Sequence, residues 1–369
     1  MSRIDQTGRF LKASGDEMRR NWIKTLTVWS VIFLMAGCAL LRTRRLENKK
    51  DTVSVLTYDL QTTINRPVKE VFELTRLWNT YVVGYASYSE VSGPGLTGIG
   101  NFNRGEASLA GRKVKWTETV AEWEEQRTVR FVYSGDMRGS VRISMEPLGD
   151  KTRYRFSAHI FFLPDSALAS ALNAFLEQGI LGDYLDQTVT DWLVKDFAKL
   201  ENKEPEQVRL DQKPVHSVFA DAYLTATETF SISPEKLFQI LNSRDGLKAI
   251  LPLDRIEPAE KSPPDFEGLG NHYRATASRG LTTPLVYDLV IVQYDPPKEA
   301  RYYLYAGGAA MEIDLIVVPD ATGSKALILF ILDLPESVAG RTLDVLIHLS
   351  DIDQQAQKEL TELKSDQLR

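Results

Sequence analysis

Few residues in this chain have a type and spacing that could do chemistry. Four histidines (His159, His216, His272 and His348) and one cysteine, Cys38, are scattered over 369 residues. None of the histidines falls in an HExxH-like pattern, and a lone thiol makes neither an intramolecular disulfide nor a thiolate cluster, so no metal or other cofactor is expected. His159 falls on the polar side of its strand pattern, and His272 and His348 show no partner in the sequence. Two glycine pairs, Gly98-Ile99-Gly100-Asn101 and Gly268-Leu269-Gly270-Asn271, lead into strands rather than helices, which suits a turn and not a phosphate loop. Glu118 stands out. In Lys113–Val120 it shares a face with Val114, Trp116 and Val120, opposite Lys113, Lys115, Thr117 and Thr119. An inward carboxylate needs a hydrogen-bond partner or a raised ionisation point. It could hook the polar head of a ligand or serve as a general acid or base. A bulge turning Glu118 outward, or a place at a solvated mouth, would leave it no such role.

The elements that would position these residues occur twice. Thr225–Leu241 reads as a strand of period two that ends at a helix opened by Pro234, with Ser233 as its cap and Leu237, Phe238 and Leu241 on one face. Leu60–Leu74 has the same grammar, with Ile64, Pro67, Val71, Phe72 and Leu74 in the corresponding parts. The glycine turns recur, as does an aromatic-to-arginine spacing, Trp123…Arg130-Phe131-Val132-Tyr133 against Tyr294…Arg301-Tyr302-Tyr303-Leu304. A repeat of about 150 residues is domain-sized. The division expected is an N-terminal segment 1–51, a first domain 52–200, a charged linker 201–216 and a second domain 217–369.

Within each copy, four alternating strands follow the glycine turn, as a half-buried antiparallel sheet requires. Apolar residues then recur at helical spacing from Leu168 to Leu200 and again from Val338 to Leu363. Gly179 and Gly182 are expected to divide the first of these helices. Leu285–Tyr294 is apolar on both faces, which calls for a covered outer side or a binding patch. Packing of the two repeats on each other would supply the cover.

A hydrophobic share of 43% and a charged share of 25% are ordinary for globular domains, and a net charge of −6 argues against a nucleic-acid partner. The uncharged run Thr25–Leu41 follows Arg19, Arg20 and Lys24, as a spanning helix or a signal peptide would. Leu34-Met35-Ala36-Gly37-Cys38 resembles the lipobox of bacterial lipoproteins, which implies lipidation of Cys38 and a place in the cell envelope. A single-pass anchor is the alternative, and both attach the chain to a membrane.

The element order resembles the SRPBCC superfamily, the START-related helix-grip fold that includes polyketide cyclases and lipid-transfer domains. Ile64…Pro67…Val71-Phe72, Gly98-Ile99-Gly100, Ile232-Ser233-Pro234…Leu237-Phe238, Gly268-Leu269-Gly270 and the long terminal helices carry the likeness. It implies an α+β chain of two tandem helix-grip domains, each with a curved antiparallel sheet wrapped on a long C-terminal helix around an apolar cavity. In the first copy Trp116, Phe131, Tyr133, Ile143, Met145 and Phe156 would line it; in the second, Tyr273, Tyr287, Tyr302, Met311 and Ile313. The implied function is a membrane-tethered binding or carrier protein for a hydrophobic small molecule or lipid. Cyclase or dehydrase chemistry, for which only Glu118 qualifies, and a non-catalytic interaction module are the alternatives.

Overall fold

Strands of period two and proline-opened helices settle into two antiparallel sheets, each covered on its inner face by helix. The computed structural model describes residues 52–76, 87–91, 98–109, 112–161, 174, 176, 178–212, 215–222, 224–259, 262, 266–278, 284–306, 309–333 and 352–367. Residues 50–369 form one compact unit.

The first repeat contains β1 (Thr52–Ile64), α1 (Val68–Arg76), β2 (Ser87–Val91), β3 (Phe102–Leu109), β4 (Arg112–Glu124), β5 (Thr128–Gly135), β6 (Arg138–Leu148), β7 (Lys151–Phe161) and the long α2 (Ile180–Glu201). Helix α2 begins directly after Gly179, whose φ is 77°, and ends at Asn202, also left-handed. Gly182 stays inside it, so the break expected at Gly182 does not occur. Trp192, Leu193 and Phe197 of α2 enter the same core as Phe131, Ile143 and Tyr154 of the sheet. Tyr154 meets Phe197 edge-on at 5.2 Å, and Phe156 meets Trp192 at 6.2 Å.

The chain continues through β8 (Val215–Ala222), β9 (Leu224–Phe230), α3 (Pro234–Leu241), α4 (Arg244–Ile250), β10 (Arg255–Pro258), β11 (His272–Ala277), β12 (Leu285–Asp295), β13 (Glu299–Ala306), β14 (Ala309–Asp320), β15 (Gly323–Asp333) and α5 (Ile352–Gln367). Ser233 caps α3 as its sequence suggests, accepting from the Lys236 backbone N–H at 3.4 Å, and Ser243 does the same for α4 from Gly246 at 3.0 Å. Ile352, Ala356 and Leu360 of α5 pack into the core under β11–β15.

The sheet order is β2-β3-β4-β5-β6-β7-β1-β8 in the first sheet and β10-β11-β12-β13-β14-β15-β9 in the second. Strand β8 pairs along β1, from Thr52↔Ala222 to Asp59↔Val215. Residues 217–222, expected in the second domain, therefore pair with the first sheet. Local periodicity cannot show this, because which neighbour a strand pairs with is not encoded in its alternation.

The outer face of the doubly apolar β12 is covered by the other repeat at Val290 and Val292, while Val286 stays exposed. Val290 and Val292 pack with Ala121, Val132, Tyr303 and Ala310, while Val55 and Phe161 pack with Leu329 and Ile331. The two glycine turns also meet: a Cβ on Gly100 would collide with the Gly270 carbonyl oxygen, and one on Gly270 with that of Gly100. Ser134 Oγ donates to the Val292 carbonyl at 2.9 Å.

A buried ion cluster closes this interface. Arg138 of the first sheet pairs with Asp314 and reaches Glu299 at 3.6 Å. Arg301 contacts Asp314 and Glu299 at 2.9 Å each and Glu312 at 3.2 Å, with its own side chain and that of Asp314 fully buried. Burial alone would raise the Asp314 carboxyl, but Arg138 and Arg301 outweigh it and hold it well below the usual carboxylate range. Glu299 goes the other way. Burial and the neighbouring charge of Asp314 push it up to about 7, against the pull of Arg301 and Arg138. In the same interface Arg130 pairs with Glu122 at 3.2 Å and lies over the rings of Tyr303 and Tyr305, 6.0 and 5.8 Å from their centres.

Candidate functional site in the first repeat

Glu118 faces inward and is 1% exposed. A bulge does occur in β4, but between Val120 and Glu122, two residues too late to turn Glu118 outward. It swings Ala121 and Glu122 to the interface and returns Trp123 inward, onto Phe72 at 5.1 Å. Cross-strand register then sets Glu118 between two polar neighbours. Asn103 is its partner on β3 and Tyr133 its partner on β5, so three polar side chains form one rung across three strands. Asn103 Nδ2 donates to Glu118 Oε1 at 2.8 Å, with Asn103 fully buried. Burial, then the charge of Glu118 and a hydrogen bond to it, push the Tyr133 phenol well above its usual range, so Tyr133 stays protonated and donates to the carboxylate.

The next inner rung is Gly105–Trp116–Gly135. A Cβ on Gly105 would come within 2.8 Å of the Trp116 indole, so only glycine lets that ring lie flat on the neighbouring strand. Phe131, Ile143, Met145 and Phe156 share the core with Tyr133, and Trp116, half-buried, packs on its edge.

The second repeat holds the same backbone and different chemistry. Its glycine turn closes alike: Gly100 N–H reaches the Val120 carbonyl at 2.8 Å, and Gly270 N–H that of Ile291, also at 2.8 Å. Each is followed by a bulge, at Val120/Glu122 and Ile291/Gln293. The rung matching Asn103–Glu118–Tyr133 is Tyr273–Leu289–Leu304, without a carboxylate. Tyr287 and Tyr302 stand where the first copy has Trp116 and Phe131. Tyr302 donates to Asn242 Oδ1, and Asn242 Nδ2 to the Phe266 carbonyl at 2.8 Å, while Tyr273 stacks on Phe266 at 4.2 Å. Tyr273, Tyr287, Tyr302, Met311 and Ile313 are all buried members of one core.

Of the residues expected to line an interior, Trp116 is half-buried and also borders an open cleft with Arg104, Lys115 and Thr117, and the others are buried core residues. Cys38, the run Thr25–Leu41, His348 and Pro335–Leu349 lie outside the described residues. Among those described, no helix is long and apolar enough to cross a membrane. Two further groups were not anticipated. Asp196 of α2 is buried, and burial pushes its carboxyl up to about 6 against Lys199 and the Trp192 N–H; its place beside Leu193 and Phe197 in the helical pattern was the available signal. His272 Nε2 meets Asp288 Oδ1 at 2.8 Å across strands β11 and β12. Two clefts on the described surface, of about 300 and 590 Å³, are lined mainly by polar side chains such as Arg104, Lys115 and Thr117 or Gln357, Lys358 and Thr361.

A family model described as polyketide cyclase / dehydrase and lipid transport matches residues 56–187. No curated protein matches the chain. Among solved structures it is similar to the di-domain ARO/CYC StfQ from the steffimycin biosynthetic pathway, at 12% identity over 84% of this chain and 99% of that one, with a TM-score of 0.30. The di-domain ARO/CYC BexL from the BE-7585A pathway shows 14% identity over 82% and 98%, TM-score 0.29. The Zhui aromatase/cyclase from Streptomyces sp. R1128 shows 14% over 40% and 94%, TM-score 0.33. The family model covers the first repeat alone; with the same turn, bulge and strand order in the second, the chain has the fold of two tandem helix-grip domains, each an antiparallel sheet packed on a helix.

Proposed function

We propose that the first repeat binds a hydrophobic small molecule between its inner sheet face and α2, with the Asn103–Glu118–Tyr133 rung as polar anchor. The rung carries this reading. The rung is a hydrogen-bonded polar network buried in an otherwise apolar interior, and the matching rung of the second repeat does without a carboxylate. The family description, which joins polyketide chemistry to lipid transport, supports the same ligand class. In the full-length protein, the neutral dye Nile red is expected to bind saturably, and Ile143→Trp, which fills the inner face, to abolish binding while unfolding stays cooperative. Absence of a saturable site, with Ile143→Trp unfolding the protein, would mean a filled core and no carrier.

Cyclase- or dehydrase-type catalysis is the second reading, favoured by the hydrogen bond between Glu118 and Tyr133. There Glu118 would take a proton from the bound molecule as general base.

The membrane tether belongs to the same proposal. The apolar run ending at Gly37-Cys38 supports it. A clickable palmitate analogue fed to expressing bacteria is expected to label the wild type and not Cys38→Ala; an unlabelled wild type that still fractionates with membranes would replace lipidation with a spanning helix.

A further inference from the structure

We infer that the outer edge of β9 is a strand-pairing surface for a second copy of this chain, kept closed by one side chain, Gln357 of α5. Strand β9 ends the second sheet, and among the described residues no strand pairs on its far side. Its place is that of β1 in the first sheet, since both lead into a helix opened by proline. There the far side is occupied: β8 runs along β1 from Thr52↔Ala222 to Asp59↔Val215.

Gln357 makes the bonds that a neighbouring strand would make. Its Oε1 accepts from the Thr227 N–H at 2.9 Å, and its Nε2 donates to the Thr227 carbonyl at 3.0 Å. A side-chain amide offers the same donor and acceptor as a peptide unit, so this pair imitates one rung of an antiparallel ladder. It also gives the direction of the edge. Main-chain groups of alternate residues point the same way, so those of Thr225 and Thr229 face outward with those of Thr227. The Thr229 N–H meets Glu228 Oε1 at 3.0 Å, and Lys364 of α5 donates to that oxygen at 2.7 Å. Two side-chain contacts thus stand where the first sheet has a strand.

A second copy is the occupant this edge suits. Two β9 edges paired about a two-fold axis satisfy each other and need no other sequence. Leu224–Phe230 carries three threonines and a single charge, Glu228, with no proline or glycine, a composition that favours strand pairing. The chain already joins its own strands in this manner where β8 lies antiparallel on β1. Thr225 borders an open cleft of about 590 Å³ with Gln354, Gln357 and Thr361. That gives room to a strand lying about 4.8 Å from β9.

The test is sedimentation equilibrium and amide hydrogen exchange on the full-length protein and its variants. Gln357→Ala is expected to self-associate at least about tenfold more tightly than the wild type, the effect of freeing one two-bond rung in each copy. Residues 225–229 should gain exchange protection as its concentration rises. Gln357→Glu keeps the acceptor and adds a charge at the edge, and should self-associate no more than the wild type. Thr227→Pro removes the outward N–H at a place where an edge strand tolerates proline, and should return Gln357→Ala to the wild-type level. Self-association of Gln357→Ala equal to that of the wild type overturns the proposal, as does association that leaves 225–229 unprotected or survives Thr227→Pro. Protection of 225–229 at every concentration with no change in mass would mean that the same molecule fills its own edge, and overturns it too.

Discussion

Asp314→Asn is expected to destabilise the protein by about 3 kcal/mol at pH 8, read as a shift in the urea midpoint, because it leaves two buried arginines short of their shared counter-ion. Arg138 reaches Asp314 from the first sheet and Arg301 from the second. The pH dependence is part of the expected result. The Glu299 carboxyl rises from 4.5 to about 7 on folding, so between those values the native state holds a proton that the unfolded chain has lost. Stability should therefore fall as pH rises through that window, by roughly 3 kcal/mol at most. Asp314 is the second cause of that rise, after burial, so in Asp314→Asn the loss between pH 4.5 and 7 should shrink. A midpoint shift worth under about 1 kcal/mol, or an unchanged pH slope, would show that the cluster is solvated in solution.

Gly100→Ala should cost about 2–4 kcal/mol. A left-handed φ of 87° contributes about 1 kcal/mol of this, and the collision with the Gly270 backbone the remainder. Gly149→Ala separates the two terms, since Gly149 has φ 69° and open space around it, and should cost only about 1 kcal/mol. Because both partners share one contact, the double variant Gly100→Ala/Gly270→Ala should cost less than the two single losses added. Equal losses for Gly100→Ala and Gly149→Ala would remove the contact from the energetics.

Much of the fold is legible in local pattern. Pro67 and Pro234 mark the helix starts, alternation marks the strands, and the recurrence of Gly-x-Gly-Asn marks the duplication. What stayed hidden depends on pairs distant in sequence. Arg301 and Asp314 alternate with apolar residues as solvated side chains do, and only the first sheet lying over them makes them buried. Glu118 announced itself by interrupting an apolar face. Its partners did not, because Asn103 and Tyr133 become its neighbours only through two hairpins whose register a single strand cannot declare. The pairing of β8 was hidden for the same reason, its bonds going to β1 and not to the sheet of the residues that follow it.

The strand that leads into the second repeat closes the edge of the first sheet, running antiparallel to β1 from Thr52↔Ala222 to Asp59↔Val215. The Gly100–Gly270 contact resembles the self-complementary geometry of a symmetric dimer, in which a position meets its own counterpart. A true homodimer must carry every residue twice and cannot set an arginine against an acid at equivalent places. Here Arg130 faces Arg142 across one pair of strands, while their counterparts are Arg301 and Asp314. Two halves of one chain need not be identical, and the same freedom lets one interior keep a buried Glu118 where the other has Leu289.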